Sequence, residues 1–109
     1  MARAGRFGGH FVTGHIDCAG TVQVFRRVGK NYYLAVAFPK KYGKWIVEKG
    51  SIALDGVSLT VAEARAAQLA VWLIPHTLKV TNLRELHAGA RVNLEFDLLA
   101  KYAVALRKN

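Results

Sequence analysis

KGSIALDGVSLTV, Lys49 to Val61, is the stretch that decides the fold. Two short apolar runs, Ser51 to Leu54 and Val57 to Val61, flank Asp55-Gly56, a dipeptide that supplies the positive φ angles of a tight hairpin turn. In the second run, alternation sends Val57, Leu59 and Val61 to a core face and Ser58 and Thr60 to the other. Such a hydroxyl pair beside a glycine turn could line a pocket for a polar small molecule, or could be the ordinary surface of a half-exposed strand.

Downstream, residues 62–67 permit a turn, and QLAVWLI, Gln68 to Ile74, is a continuous apolar run of the kind a buried strand carries, ended by Pro75. HTLKVTNLREL, His76 to Leu86, reads as a short helix or an irregular crossing anchored by Leu78, Leu83 and Leu86. A turn at His87-Ala88-Gly89 leads to a last strand, Arg91 to Phe96, with Val92, Leu94 and Phe96 inward. The closing LLAKYAVALRKN has Leu98, Leu99, Tyr102, Ala103 and Leu106 near helical spacing and ends in cations that suit a helix C-terminus. Upstream, TVQVFRRV and YYLAVAF form a second hairpin broken at Gly29-Lys30-Asn31. Tyr32 and Tyr33, beside basic residues, read as packing residues of a strand, with base stacking as the rarer use. After Pro39, KKYGKWIVEKG supports one or two helical turns, with Trp45, Ile46 and Val47 as anchors.

The expected fold is therefore all-β in the main: a small six-stranded antiparallel barrel, Greek-key-like, with one or two short helices and a C-terminal helix. Residues 1–7, small and basic, read as an arm or a cut end, and 8–109 as one domain. A hydrophobic content of 52% excludes a disordered tail, and no apolar run reaches membrane-spanning length, which makes the cytoplasm the default compartment. Cys18, the single cysteine, rules out an internal disulfide and a cysteine zinc cluster. His10 and His15, five apart in GGHFVTGHID, fall on opposite faces of a straight strand and make a poor metal pair, so no metal site is expected. Sixteen Lys and Arg against seven acids give a net charge of +9, scattered over Arg26-Arg27-Lys30, Lys40-Lys41-Lys44 and Arg107-Lys108. That dispersal describes a solvated basic surface, with an RNA or anion site as the alternative. Walker, dinucleotide and nucleophile-elbow motifs are absent.

Three blocks taken together, GGHFVTGHIDCAGTV at 8–22, KGSIALDGVSLTV at 49–61, and LIPHTLKVTNL with GARVNLEFDLLAKY at 73–102, resemble riboflavin synthase, a transferase with two similar lumazine-binding barrels per chain. The likeness is to its C-terminal barrel and covers nearly everything after residue 7; the N-terminal barrel has no counterpart in these 109 residues. The resemblance implies a pocket for lumazine or flavin bounded by Gly14, His15 and Ile16, by Lys49, by Ser58, Leu59 and Thr60, and by Ile74, Pro75, His76, Thr77, Leu78 and Lys79. It also implies an acidic position at Asp97 facing an intersubunit site, where a surface acid favourable at a helix N-terminus is the equal alternative. The family dismutates two molecules of 6,7-dimethyl-8-ribityllumazine to riboflavin and 5-amino-6-ribitylamino-pyrimidinedione without metal or redox cofactor, chemistry for which positioning and proton transfer suffice. The implied catalytic candidates are His15 for proton exchange, Ser58 and Asp97; neither Ser58 nor Thr60 has an adjacent base that would make it a strong nucleophile. The family's other barrel carries a cysteine where this chain has Ser58, and Cys18 lies outside that motif.

Three readings follow. In the first, the chain is the C-terminal half of the enzyme and turns over lumazine only with a missing N-terminal barrel. In the second, it is a stand-alone lumazine- or flavin-binding module, paired as a homo-oligomer (dimer or trimer). The third, a basic RNA- or anion-binding domain, rests on the +9 charge alone. Neither nucleic acid nor membrane is the expected partner.

Overall fold

In a computed structural model, residues 16–97, 101–102 and 105–106 are described. Two glycine turns make the hairpins. Strands β1 (Cys18–Val28) and β2 (Asn31–Ala37) are joined through Gly29 at φ 65, and β3 (Ser51–Leu54) and β4 (Val57–Thr60) through Asp55 at φ 48 and Gly56 at φ 85. Positive φ at both central residues is the primed turn whose twist matches the strands it joins. The second turn is also tied to β7 (Arg91–Phe96): the Asn93 N–H donates to Asp55 Oδ1 at 2.7 Å, and the Asp55 N–H to the Asn93 carbonyl at 2.8 Å.

All strand pairs are antiparallel, in the order β4-β3-β7-β1-β2-β6-β5, where β5 is Glu63–Ala64 and β6 is Gln68–Leu73. The described residues form seven strands where six were expected: β5 lies in the 62–67 stretch expected as a turn. β4 and β5 stand at the two ends of the sheet yet are separated in the chain by Val61 and Ala62 alone. Val61 donates to Gly50 on the β3 side at 2.8 Å, and Ala62 to Ala70 on β6 at 2.8 Å. The segment 57–64 is thus one bent strand that leaves the first partner for the last and curls the sheet back on itself. Non-consecutive neighbours (β3 with β7, β7 with β1, β2 with β6) give the Greek-key character.

A bulge sets the phase of β1. Val22 pairs with Val36 and Val24 with Ala35, leaving Gln23 over, so Phe25, opposite Leu34, turns inward while Arg26 and Val28 turn outward. Gly20 lies where β1 crosses β2 closely; a Cβ there would stand 2.7 Å from Val36 Cγ1 and 2.8 Å from the Ala37 carbonyl oxygen. Leu34, Val36, Ile52, Leu54, Leu69, Val71, Leu73, Val92 and Leu94 fill the interior. One expectation changes here. The 68–74 run is not buried throughout: Leu69, Val71 and Leu73 point in, whereas Trp72 and Ile74 are 45% and 53% exposed, because the strand alternates despite its uniform hydrophobicity.

A 3-10 turn over Lys40–Trp45 packs Tyr42 and Trp45 against Phe96, each at 5.5 Å between ring centroids. Ile46 is buried with them, but Val47, expected as an anchor, is exposed. The segment after β6 forms helix α1 (Pro75–Val80) and a 3-10 turn (Asn82–Glu85), seated by buried Leu78 and Leu83. Thr81 joins the two: its hydroxyl donates to the Thr77 carbonyl at 2.7 Å and accepts from the Leu83 N–H at 3.2 Å. Of the expected C-terminal helix, residues 101, 102, 105 and 106 are helical, with Tyr102 and Leu106 exposed; Leu98, Leu99 and Ala103 lie outside the described residues.

Candidate ligand-binding site

β4 carries the candidate hydroxyls because its alternation holds. Val57 and Val61 are buried and Leu59 packs against the core, while Ser58, half-buried, and Thr60, exposed, face outward. Ser58 lies opposite the small Ala53, which in turn lies opposite Glu95, so Ser58 and Glu95 flank Ala53 on one outer row. At two strand spacings the two backbones are about 10 Å apart. Thr60 lies opposite Ser51. Asp97, half-buried, is one residue beyond Phe96, the partner of Ile52, and so comes level with Ser51. Its carbonyl accepts from the Lys101 N–H at 3.2 Å, which puts Asp97 at the start of the C-terminal helix.

Lys49 holds a left-handed conformation, φ 69, that an L-residue rarely adopts. Its N–H donates to the Val61 carbonyl at 2.7 Å, which fixes the backbone beside Thr60 while the side chain stays exposed. On the other flank, β6 runs antiparallel to the bent strand, with Ala64 opposite Leu69 and Glu63 opposite Ala70. β6 also touches β4. Pro75, with no N–H to lose, opens α1; Thr77 and Leu78 donate to the Ile74 carbonyl at 3.0 and 3.4 Å. Ile74, Pro75, His76 and Lys79 are exposed, Thr77 is half-buried and Leu78 lies in the core. Arg84 caps the end of the helix through the Thr81 and Leu78 carbonyls at 2.6 and 3.4 Å. Ile16 is 57% exposed ahead of β1; Gly14 and His15 lie outside the described residues.

The sequence reasoning passed over Asp17. Its Oδ2 accepts from the Phe96 N–H at 2.8 Å and its Oδ1 from Lys101 Nζ at 2.7 Å, tying the chain entering β1 to the end of β7 and to the C-terminal helix. No local signal marks it, since its partners are 79 and 84 residues away. Cys18, next to it, has its thiol pKa raised by burial and then by the Asp17 charge, which keeps it a poor nucleophile. Among the described residues no three metal-ligating side chains cluster, and no helix is long and apolar enough to cross a membrane.

A curled seven-stranded antiparallel sheet with little helix defines a small β-barrel. The family model for the lumazine binding domain matches residues 13–97, and the chain belongs to that family. It is 43% identical over 102 residues to riboflavin synthase of Actinobacillus pleuropneumoniae, a match covering 94% of this chain and 47% of the relative. To riboflavin synthase of Bacillus subtilis it is 42% identical over 104 residues, with 94% and 47% covered. The chain thus spans about half the length of these relatives. Among solved structures, LumP complexed with flavin mononucleotide superposes with a TM-score of 0.75 at 25% identity, covering 82% of this chain and 50% of that one. LumP complexed with 6,7-dimethyl-8-(1'-D-ribityl) lumazine superposes at 0.69 and 25% identity, over 77% and 46%.

Proposed function

We propose that this barrel binds 6,7-dimethyl-8-ribityllumazine or riboflavin on the outer face of β4, between Lys49 and the start of α1, and that it supplies one of the two barrels of a riboflavin-forming site. The observation that carries the reading is the strip of Ser58 and Thr60. Alternation turns both hydroxyls out of the core, the Lys49 backbone is bonded beside Thr60, and the resemblance implicates Ile74–Lys79 and Asp97 together with them. Hydroxyls suit the polar edge of a pteridine and a ribityl chain. Leu78 seats α1 from the core side, and the exposed helix start offers Thr77 and the Ile74–Pro75 edge to the ligand.

Turnover belongs to the pair of barrels rather than to one. Dismutation needs two ring systems held face to face, and Ser58, between Val57 and Leu59, has no adjacent base in the sequence that would activate it. His15 remains the candidate for proton exchange and Asp97 for the shared edge.

Fluorescence titration tests the binding. Removing either hydroxyl, Ser58→Ala or Thr60→Ala, should weaken lumazine and riboflavin binding about 3- to 10-fold, the worth of one hydrogen bond. Unchanged affinity in the double variant, or no quenching by the unmodified chain at high micromolar concentration, refutes it. Mixing with a separately made N-terminal barrel of the family should bring riboflavin formation above either part alone.

A further inference from the structure

Past the bond from the Ala62 N–H to the Ala70 carbonyl, 2.8 Å, the bent strand and β6 part: β5 pairs with β6 no further than Glu63 with Ala70, and β4 has gone over to β3. β4 and β6 still touch, which leaves a seam between them on the outer surface. The strands run antiparallel, so the first exposed side chains past that bond are Thr60 on one lip and Trp72 on the other, with Val61 and Val71 between buried. Ser58 follows Thr60 and Ile74 follows Trp72, each about 7 Å further along its strand. Among residues 57–60 and 71–74, which form the two lips, Trp72 is the one aromatic.

Trp72 is also held before a ligand arrives. Its ring meets that of Tyr33, opposite on β2, edge to face at 5.1 Å, and the Tyr33 hydroxyl donates to Glu63 at 2.8 Å. The indole is nevertheless 45% exposed. Fixed from one side and open on the other, it offers a flat apolar surface at little entropic cost. The hydroxyls across the seam have the opposite character, since they can hold polar groups but not the faces of a ring.

Resting on the proposed ligand role, we infer that Trp72 is the contact for the ligand's ring system: the barrel stacks a flat heteroaromatic on Trp72 from β6 and holds its polar groups through Ser58 and Thr60 from β4. The hydroxyl pair would serve a ribityl chain with or without a ring attached; the indole selects for the ring. Three fused rings cover more of an indole than two, so Trp72 contributes more to riboflavin than to lumazine.

Equilibrium dialysis of the full chain against riboflavin and against 6,7-dimethyl-8-ribityllumazine measures both affinities without relying on tryptophan emission. Trp72→Ala should weaken riboflavin binding about 3- to 10-fold and lumazine binding less. Trp72→Phe keeps a ring and should stay within about threefold of the unmodified chain, yet its bound riboflavin should be brighter, because a stacked indole quenches flavin emission and a phenyl ring does not. Trp45 is present in every variant and serves as the internal control. Should Trp72→Ala not fold by circular dichroism, the emission of riboflavin bound to Trp72→Phe decides alone. Riboflavin affinity unchanged in Trp72→Ala, or bound emission unchanged in Trp72→Phe, overturns the inference. The Ser58→Ala, Thr60→Ala double variant keeps the two readings apart: a loss confined to it defeats only the ring contact, a loss confined to Trp72→Ala defeats only the hydroxyl strip, and a chain that binds neither ligand overturns both.

Discussion

Asp17→Ala tests whether the entry to the barrel is clamped as the geometry implies. The substitution removes both bonds of one carboxylate. Its bond to the Phe96 N–H, 2.8 Å and part-buried, is charge-assisted and worth about 1.5–3 kcal/mol, and its loss leaves a part-buried donor unpaired. The ion pair with Lys101 at 2.7 Å joins side chains 28% and 18% exposed for Lys101 and Asp17, so solvent screens it and about 0.5–1 kcal/mol is appropriate. Together the expected destabilisation is about 2–4 kcal/mol. In urea unfolding followed by tryptophan fluorescence, that moves the midpoint down by about 1–3 M for a domain of this size. Trp45, which packs on Phe96 at 5.5 Å and lies under Lys101 Nζ at 5.5 Å, reports the same region. Asp17→Asn keeps an acceptor for Phe96 and should lose only about 0.5–1.5 kcal/mol, and Lys101→Met about 0.5–1 kcal/mol. An Ala variant within about 0.5 kcal/mol of the unmodified chain, or an Asn variant as damaging as Ala, refutes the clamp.

Gly20→Ala should cost about 1–3 kcal/mol, since its Cβ would press on the Ala37 backbone oxygen and on Val36; Gly29→Ala, with open space but φ 65, should cost only about 1 kcal/mol of backbone strain. Thermal or urea midpoints rank the two, and equal losses contradict the close crossing. Tyr33 has its pKa raised above 10.0, first by its hydrogen bond to Glu63, then by burial and the Glu63 charge, against the opposing Arg65 and Arg26. A raised folded pKa favours the neutral phenol. The stabilisation is therefore complete below about pH 10 and is lost as pH rises through the folded value. Tyr33→Phe should cost about 0.5–1.5 kcal/mol at pH 8, with the gap to the unmodified chain closing at high pH; a constant gap argues against the bond.

Much of the fold was legible because its determinants are local. Asp55-Gly56 and Gly29 impose positive φ whatever surrounds them, and alternation in β4 and β7 places Val57, Val61, Val92, Leu94 and Phe96 inward without reference to a partner. The hydroxyl strip of Ser58 and Thr60 was readable for the same reason, and the three spaced blocks were enough to point to the family. Helix α1 was only half legible: Pro75 could end a strand or open a helix, and the choice falls to helix because Leu78 and Leu83 find the core.

What only the tertiary structure decided are features with remote partners. Uniform hydrophobicity from Gln68 to Ile74 concealed that Trp72 and Ile74 face outward, since a strand's period is set by the sheet it joins. The bulge at Gln23 appears only when β1 is registered against β2, and it alone turns Arg26 and Val28 to the face that bears Tyr33 and Trp72. Val61 and Ala62 carry no mark of the bend that splits one strand between β3 and β6 and closes the sheet. Asp17 reads as an ordinary acid until chain closure brings Phe96 and Lys101 to it. Turn chemistry and period are properties of a few neighbouring residues, whereas strand registry and carboxylate partners come into being only when distant segments meet.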